Sequence, residues 1–319
     1  MLKMEKVFVT GGSGFLGRSI VEQARLAGYG VIAPRSNELD LENSDECKKY
    51  FNKLNDNGET INYIIHSAAY YGGLGFNSLD PVGIIDKNSR MALNVFACCK
   101  DIKPKKIISV GSACSYPGHL TNDLKETELF NGPCHHSVEQ YGFTKRLHII
   151  LQSAYFKQYN FKSNQLLLTN LYGEHDTFQE KRSHALPTLI KKIVDAKMYN
   201  KDVVAWGTGT PIREFLYVHD AAKVIIESLK FKHDLEPINV GGEEISIRDL
   251  IKLICGIVDY DYNLVKWDNE KPDGTKRKVL DSSKLSKLYD NINYISLQQG
   301  LNKTIKWYIE NKKMADKRL

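Results

Sequence analysis

Residues 6–17 read Lys6-Val7-Phe8-Val9-Thr10-Gly11-Gly12-Ser13-Gly14-Phe15-Leu16-Gly17, and this stretch decides the architecture. Lys6 to Thr10 is a short β-branched and aromatic run, and from Ser19 to Leu26 the apolar residues take helical spacing. The stretch therefore predicts strand, glycine turn and helix. Gly12, Gly14 and Gly17 satisfy GxGxxG, while Gly11, Gly14 and Gly17 satisfy GxxGxxG. Both spacings serve the same physics. Missing side chains permit a tight turn and close helix–sheet packing, so the helix N-terminal N–H groups face an anion such as a pyrophosphate.

Working outward, strands are predicted again at Gly30 to Ala33, Tyr63 to His66, Lys106 to Val110 and Gln165 to Thr169. Helix-length segments such as Asn88 to Lys100 and Tyr141 to Lys157 separate them. This alternation predicts an α/β fold, a doubly wound parallel sheet of Rossmann type. Beyond Gly173 the pattern loosens into a helix around Leu186 to Ala196, strands near Val203 to Trp206 and Glu214 to Val218, and helices beginning near Ser246 and Leu297. We expect a dinucleotide-binding domain over 1–173 plus about 213–240, and a smaller mixed α/β substrate domain over about 174–212 and 241–319. No Pro/Gly/Ser linker divides the chain, so the site is expected between the two parts.

Composition narrows the class. The 319 residues suffice for a sizeable core, and no apolar run approaches the ~20 residues of a bilayer span, which argues against a membrane protein. The 44 Lys plus Arg against 38 Asp plus Glu give +6, compatible with a phosphorylated small molecule and no proof of a nucleic acid. Lys312, Lys313, Lys317 and Arg318 account for part of the excess at a solvated helix end. The cysteines Cys47, Cys98, Cys99, Cys114, Cys134 and Cys255 contain no CxxC pair, so neither zinc nor another metal is expected. No apolar signal segment precedes the first strand, and free thiols in a cytoplasmic protein are expected.

The end of the second strand sets the cofactor. An acid there would hold a ribose 2′-hydroxyl, but the chain reads Pro34-Arg35-Ser36-Asn37, which leaves room for a 2′-phosphate and predicts NADP(H). Asp40 and Leu41 are placed beside the adenine. Tyr141 and Lys145 form YxxxK, one helical turn apart on one face, and Ser112 follows the strand Lys106 to Val110 on the carboxyl edge of the sheet. Ketone reduction needs a hydride on carbon and a proton on oxygen. A tyrosine hydroxyl can donate that proton, a lysine ammonium can stabilise the phenolate, and a serine can hold the carbonyl oxygen.

Further blocks carry a resemblance. TGGSGFLG, AAYYGG (Ala68 to Gly73), GSACSYP (Gly111 to Pro117), NGPCHHS before Tyr141, TNLYGEHDTF (Thr169 to Phe178), SHALP (Ser183 to Pro187), WGTGTPIREF (Trp206 to Phe215), INVGGEEISI and KPDGTKRK (Lys271 to Lys278) resemble, in order, the GDP-L-fucose synthase family of extended short-chain dehydrogenases. The resemblance implies an NADPH-dependent 3,5-epimerase-4-reductase acting on GDP-4-keto-6-deoxymannose. It assigns reduction to Ser112, Tyr141 and Lys145, and epimerisation to Cys114 and His184. Cofactor contacts fall on Gly11, Gly12, Ser13, Gly14, Phe15, Leu16 and Gly17, on Ser36 to Leu41, on Val110, Gly111, Ser112 and Ala113, on Lys145, on Leu168, Thr169, Asn170 and Leu171, and on His184. Substrate contacts fall on Lys192, Trp206, Arg213 and Asp273, a set suited to a guanosine diphosphate.

The chain departs from the family pattern at Tyr71, where valine is usual, at Ser115, where an aliphatic residue is usual, and at Leu168, where proline is usual. Tyr71 and Ser115 are expected to flank the sugar pocket, which leaves a GDP-4-keto-heptose open as an alternative substrate. A 4,6-dehydratase would need an acidic pair where Ala113 and Cys114 stand. A 4-epimerase with bound NAD is disfavoured by Arg35, and a catalytically silent NADP-binding scaffold is disfavoured by the retained Tyr141 and Lys145. The long apolar helices Arg90 to Lys100 and Tyr141 to Tyr155 point to a homodimer, as in similar enzymes.

Overall fold

The structure, a computed structural model, describes residues 4–179, 182–232, 234–271, 273–290 and 292–318. Met1 to Lys3, at the start of the expected first domain, and Pro272, inside the block Lys271 to Lys278, lie outside the described residues.

The first half alternates strand and helix: β1 (Lys6–Thr10), α1 (Phe15–Leu26), β2 (Gly30–Ile32), α2 (Ser44–Asp56), β3 (Tyr63–His66), α3 (Leu74–Leu79), α4 (Pro81–Ile102), β4 (Lys106–Ser112), α5 (Glu139–Tyr159) and β5 (Ser163–Leu168). There follow β6 (Asn170–Tyr172), α6 (Ala185–Tyr199), β7 (Val203–Trp206), β8 (Ile212–Tyr217), α7 (Val218–Glu227), β9 (Pro237–Val240), β10 (Glu243–Ser246), α8 (Ile247–Val258), β11 (Val265–Asp268), β12 (Arg277–Lys278), α9 (Ser283–Leu288) and α10 (Leu297–Ala315).

The larger sheet runs β2-β1-β3-β4-β5-β9 with every neighbouring pair parallel. Strand alternation buries both of its faces. Val7, Val9, Ile65 and Ile108 pack with Ile20 and Ala24 of α1, Ala221 and Ile225 of α7 and Leu285 of α9. Phe8, Ile64 and Ile107 pack on the opposite side with Phe51 of α2 and Val95 and Phe96 of α4. This is the doubly wound sheet expected from the sequence. The strand order reverses between β1 and β3, which opens a crevice beyond their carboxyl ends.

The chain crosses to a second sheet at Thr169. Strand β6 pairs in parallel with β8, which also pairs with β10 antiparallel and β12 in parallel, and β7 pairs with β11 in a separate ribbon. A distinct core forms here from α6, α8 and α10, including Ile190, Ile193, Ile251, Ile254, Leu301 and Tyr308. Within the segment expected over about 213–240, β8 pairs in the second sheet while its Leu216 packs into the core of the larger one, and the chain returns to the larger sheet with α7 and β9. Strand β8 is held there by its pairing with β6, β10 and β12, and the Glu214 carboxylate accepts from the Gly242 and Leu280 N–H groups. Among the described residues, no helix is long and apolar enough to cross a membrane, and no cluster of three His, Cys, Asp or Glu is arranged to hold a metal.

Candidate active site

The glycine turn lies at the crevice. Gly11 takes φ +68°, and a Cβ on Gly17 would stand 1.9 Å from the Gly11 carbonyl oxygen, so the helix can approach this closely only without a side chain. Gly14 is the N-cap of α1, its N–H donates to Gly11 O at 2.9 Å, and no side chain caps the helix. The N–H groups of Phe15 and Leu16 in the uncapped first turn fit a diphosphate, and the neighbouring Ser13 has its carbonyl held by Arg18 Nε at 2.9 Å. Beyond β2, Arg35 and Ser36 stand exposed. The Asp40 carbonyl accepts from Cys47 Sγ at 3.6 Å and that of Leu41 from Asn94 Nδ2 at 2.8 Å, which fixes the loop expected beside the adenine. Val110, Gly111 and Ser112 end β4, while Leu168 ends β5 and Leu171 lies in β6. Thr169 Oγ1 and Asn170 Nδ2 both donate to Glu214 O, at 3.1 and 2.9 Å, so these side chains pin the crossover after β5 to β8.

One turn delivers two of the expected site residues. Strand β4 ends at Ser112, whose Oγ accepts from Cys114 N at 3.1 Å and caps the 3-10 turn Ala113–Ser115. Helix α5 closes on this turn at Gly142, where a Cβ would meet the Cys114 carbonyl oxygen at 2.4 Å, and Arg146 Nε donates to Ser115 O at 2.7 Å. That contact sets Tyr141, one residue earlier, beside the thiol. Ser115 itself is fully enclosed and does not face the cleft, contrary to the expectation that it flanks the sugar pocket.

Tyr71 joins the remaining groups. Its ring stacks on Tyr141 with centroids 3.7 Å apart and planes 18° apart, and lies 5.3 Å from the His184 ring. Its hydroxyl is 3.7 Å from Cys114 Sγ. His184 is the N-cap of α6, and desolvation lowers its pKa. Burial pushes the Cys114 thiol up, but the Lys278 charge and hydrogen bonds from Ser112, Tyr71 and Lys278 outweigh it and leave the thiol below its usual value. Burial and the nearby Cys114 raise Tyr141, which therefore stays protonated.

Lys145 is 1% exposed, with its ammonium 5.4 Å from the Tyr141 ring centroid, and burial lowers its pKa to about 8. Its charge adds to burial in holding His66 at about 3 and His148 well below the usual imidazole value. The two imidazoles stack at 5.2 Å, and His66 Nδ1 lies 2.8 Å from Thr10 Oγ1. Two neutral rings thus wall in one cation.

The expected substrate residues form two linked groups. Lys192 Nζ donates to Val204 O at 3.1 Å and lies 5.7 Å from the ring of Trp206, which is 64% exposed. Arg213 Nη1 donates to Ile212 O and Thr275 O, and the Asp273 carboxylate accepts from Thr208 N and Oγ1 at 2.7 and 2.8 Å. Asp273 therefore shapes the loop that presents Trp206. Strand β12 sets Lys278 opposite Arg213 in register, and Lys278 Nζ is 3.9 Å from Cys114 Sγ, so the expected diphosphate end and the thiol are joined through one strand pair.

Sequence reasoning misses Lys278, although it ends the block Lys271 to Lys278, and misses His66 and His148. Tyr71 is visible only as a departure from the family pattern. The signals are a histidine closing a strand and a lysine three residues before a histidine on one helix face, neither distinctive without the packing.

The doubly wound sheet, its crevice and the glycine turn define a dinucleotide-binding protein of Rossmann type. Residues 7–241 match the NAD dependent epimerase/dehydratase family. A probable GDP-L-fucose synthase 1 from Oryza sativa subsp. japonica is 37% identical over 310 residues, 96% of this chain and 92% of that protein. A GDP-L-fucose synthetase from Naegleria fowleri bound to NADP superposes with TM-score 0.90 at 29% identity, covering 99% and 96% of the two chains. A GDP-6-OMe-4-keto-L-xylo-heptose reductase from C. jejuni superposes with TM-score 0.86 at 26% identity, covering 98% and 99%. The chain belongs to the NAD dependent epimerase/dehydratase family and, within it, to the GDP-L-fucose synthases.

Proposed function

We propose that this protein is an NADPH-dependent epimerase-reductase of a GDP-4-keto sugar, converting GDP-4-keto-6-deoxymannose to GDP-L-fucose. The observation that carries the reading is the convergence on one ring: Tyr71 touches Tyr141, Cys114 and His184 together. A proton donor for oxygen and an acid–base pair for the adjacent carbons therefore share one cleft.

Cys114, held low by Lys278, removes the proton next to the ketone, and His184, a stronger acid once protonated because its pKa is lowered, delivers one to the opposite face. Ser112 and Tyr141 hold the oxygen on which enolate charge develops. NADPH, when bound, would supply the hydride for C4. Tyr141 then gives its proton to that oxygen, and Lys145 stabilises the phenolate left behind. We assign Arg35 to a 2′-phosphate, and Lys192, Trp206, Arg213 and Asp273 to the guanosine diphosphate.

The larger sheet with its helices is taken as the cofactor-binding domain and the second core as the part that closes over the sugar. A homodimer is proposed through α4 and α5, which lie side by side and expose Leu93, Phe143 and Ile150. The six cysteines are free, which suits a cytoplasmic location. A GDP-4-keto-heptose is the second reading, supported by Tyr71 in the sugar pocket. The deciding experiment offers both GDP-4-keto sugars with NADPH in heavy water and reads the products by NMR. Deuterium at C3 and C5 of GDP-L-fucose is expected. Product labelled at neither carbon makes this a plain C4 reductase, and turnover of the heptose alone reassigns the substrate.

A further inference from the structure

Tyr71 does more than fill space. Its backbone is clamped from both sides by buried amides: Asn88 accepts from Tyr70 N at 2.9 Å and donates to Tyr70 O at 2.8 Å, and Asn77 donates to Gly72 O and Gly73 O at 3.0 and 3.1 Å. Asn77 and Asn88 are each 3% exposed. A side chain anchored in this way is pre-organised, and its two ends meet different partners. The ring lies flat on Tyr141, and the hydroxyl meets Cys114 Sγ.

We infer that Tyr71 is a positioning residue for both half-reactions: its hydroxyl donates to the Cys114 thiolate, and its ring braces Tyr141 for proton delivery. This deepens the proposed function and rests on it for the roles of Cys114 and Tyr141. The groups facing Cys114 are Lys278 from β12, Ser112 from β4, Tyr141 from α5, Cys134 from the loop before α5, and Tyr71 itself. Lys278 supplies charge, whereas Tyr71 supplies a donor whose direction is fixed by its backbone clamps. Burial, with Cys114 and Tyr141 nearby, raises the Tyr71 hydroxyl well above its usual value, so it keeps its proton when the thiol loses one. A donor to an anionic sulfur favours the thiolate, and a stacked ring restricts the partner ring.

The test is the pH profile of Cys114 alkylation by iodoacetamide in the full-length protein, read by peptide mass spectrometry without any sugar present. Cys114 is the partly exposed cysteine and the other five are buried, so the label is site-selective. Tyr71→Phe keeps the ring and loses the donor. Its Cys114 midpoint should rise, and at a fixed pH below both midpoints alkylation should be about tenfold slower for every pH unit by which the midpoint climbs. Tyr71→Val should show the same rise and, having lost the brace, a further fall in kcat for NADPH oxidation. An unchanged midpoint in Tyr71→Phe overturns the role toward Cys114, and equal kcat in the two variants overturns the brace. Because the alkylation is read without substrate, a shifted midpoint in an enzyme that turns over neither GDP-4-keto sugar upholds the donor role while removing the substrate reading.

Discussion

Lys278 Nζ stands 3.9 Å from Cys114 Sγ although 164 residues separate them in the chain. The cation opposes the burial that would otherwise keep the thiol protonated. Lys278→Met should raise the thiol pKa, so that less thiolate exists at pH 7. Deuterium entry at C3 and C5 should then slow about tenfold for every pH unit by which the thiol midpoint rises, and more than hydride transfer from NADPH does. Comparing the two rates in one sample checks this, and equal slowing would assign Lys278 to substrate binding instead.

Lys145 leads to a prediction about pH. Burial sets its pKa at about 8, below the usual lysine value, so the ammonium is lost as pH rises through 8. The phenolate formed at Tyr141 then loses its nearest cation, and kcat/KM for NADPH-dependent reduction should fall above pH about 8. The stability sign is opposite. Between the folded and unfolded pKa values the unfolded chain binds more protons, so stability rises with pH from about 8 to about 10.5, and the buried charge costs about 3 kcal/mol at pH 7. Lys145→Met should therefore lose about 10²–10⁴-fold in turnover with an unchanged or higher Tm. A lower Tm would mean that the ammonium has a partner holding it in place.

Arg35 tests the cofactor assignment. It is exposed just beyond β2, where the chain offers no carboxylate at Pro34, Ser36 or Asn37. If its guanidinium holds a 2′-phosphate, Arg35→Ala should lower the ratio of kcat/KM for NADPH over NADH by about 10- to 100-fold, the worth of a charge-assisted hydrogen bond. The ratio itself is the measurement. Loss of activity with both cofactors alike would point to the loop and not to the phosphate.

What could be read from the chain divides along local and non-local lines. The glycine turn and YxxxK are local patterns whose chemistry follows from spacing, and Ser112 needed only the end of a strand. They emerged where expected, Tyr141 and Lys145 on α5 and Ser112 closing β4. Lys278 depends on β12 pairing with β8, a two-residue strand with no periodicity to detect. His66 and His148 meet only when β3 and α5 pack, and Ser115 is enclosed on a turn whose carbonyl Arg146 reaches from α5. The pairing of β8 in the second sheet has the same origin: a strand's composition reveals that it is a strand, not which sheet it joins.

Asn88 connects stability to the site. Its side chain, 3% exposed, accepts from Tyr70 N and donates to the carbonyls of Tyr70 and Ile84, the latter at 2.7 Å. Asn88→Ala would leave a buried N–H and a carbonyl unpaired, at a cost of about 2–4 kcal/mol. Asn88→Leu restores volume without the hydrogen bonds, so the polar account predicts that it fails to recover stability. Asn88→Asp can still accept from Tyr70 N but cannot donate while ionised, and should recover part of the loss. Thermal melts of the three variants separate these contributions. If the clamp also fixes Tyr71, Asn88→Ala should raise the Cys114 alkylation midpoint in the same direction as Tyr71→Phe at temperatures well below its Tm. A large loss of stability with an unmoved midpoint would confine Asn88 to holding the fold.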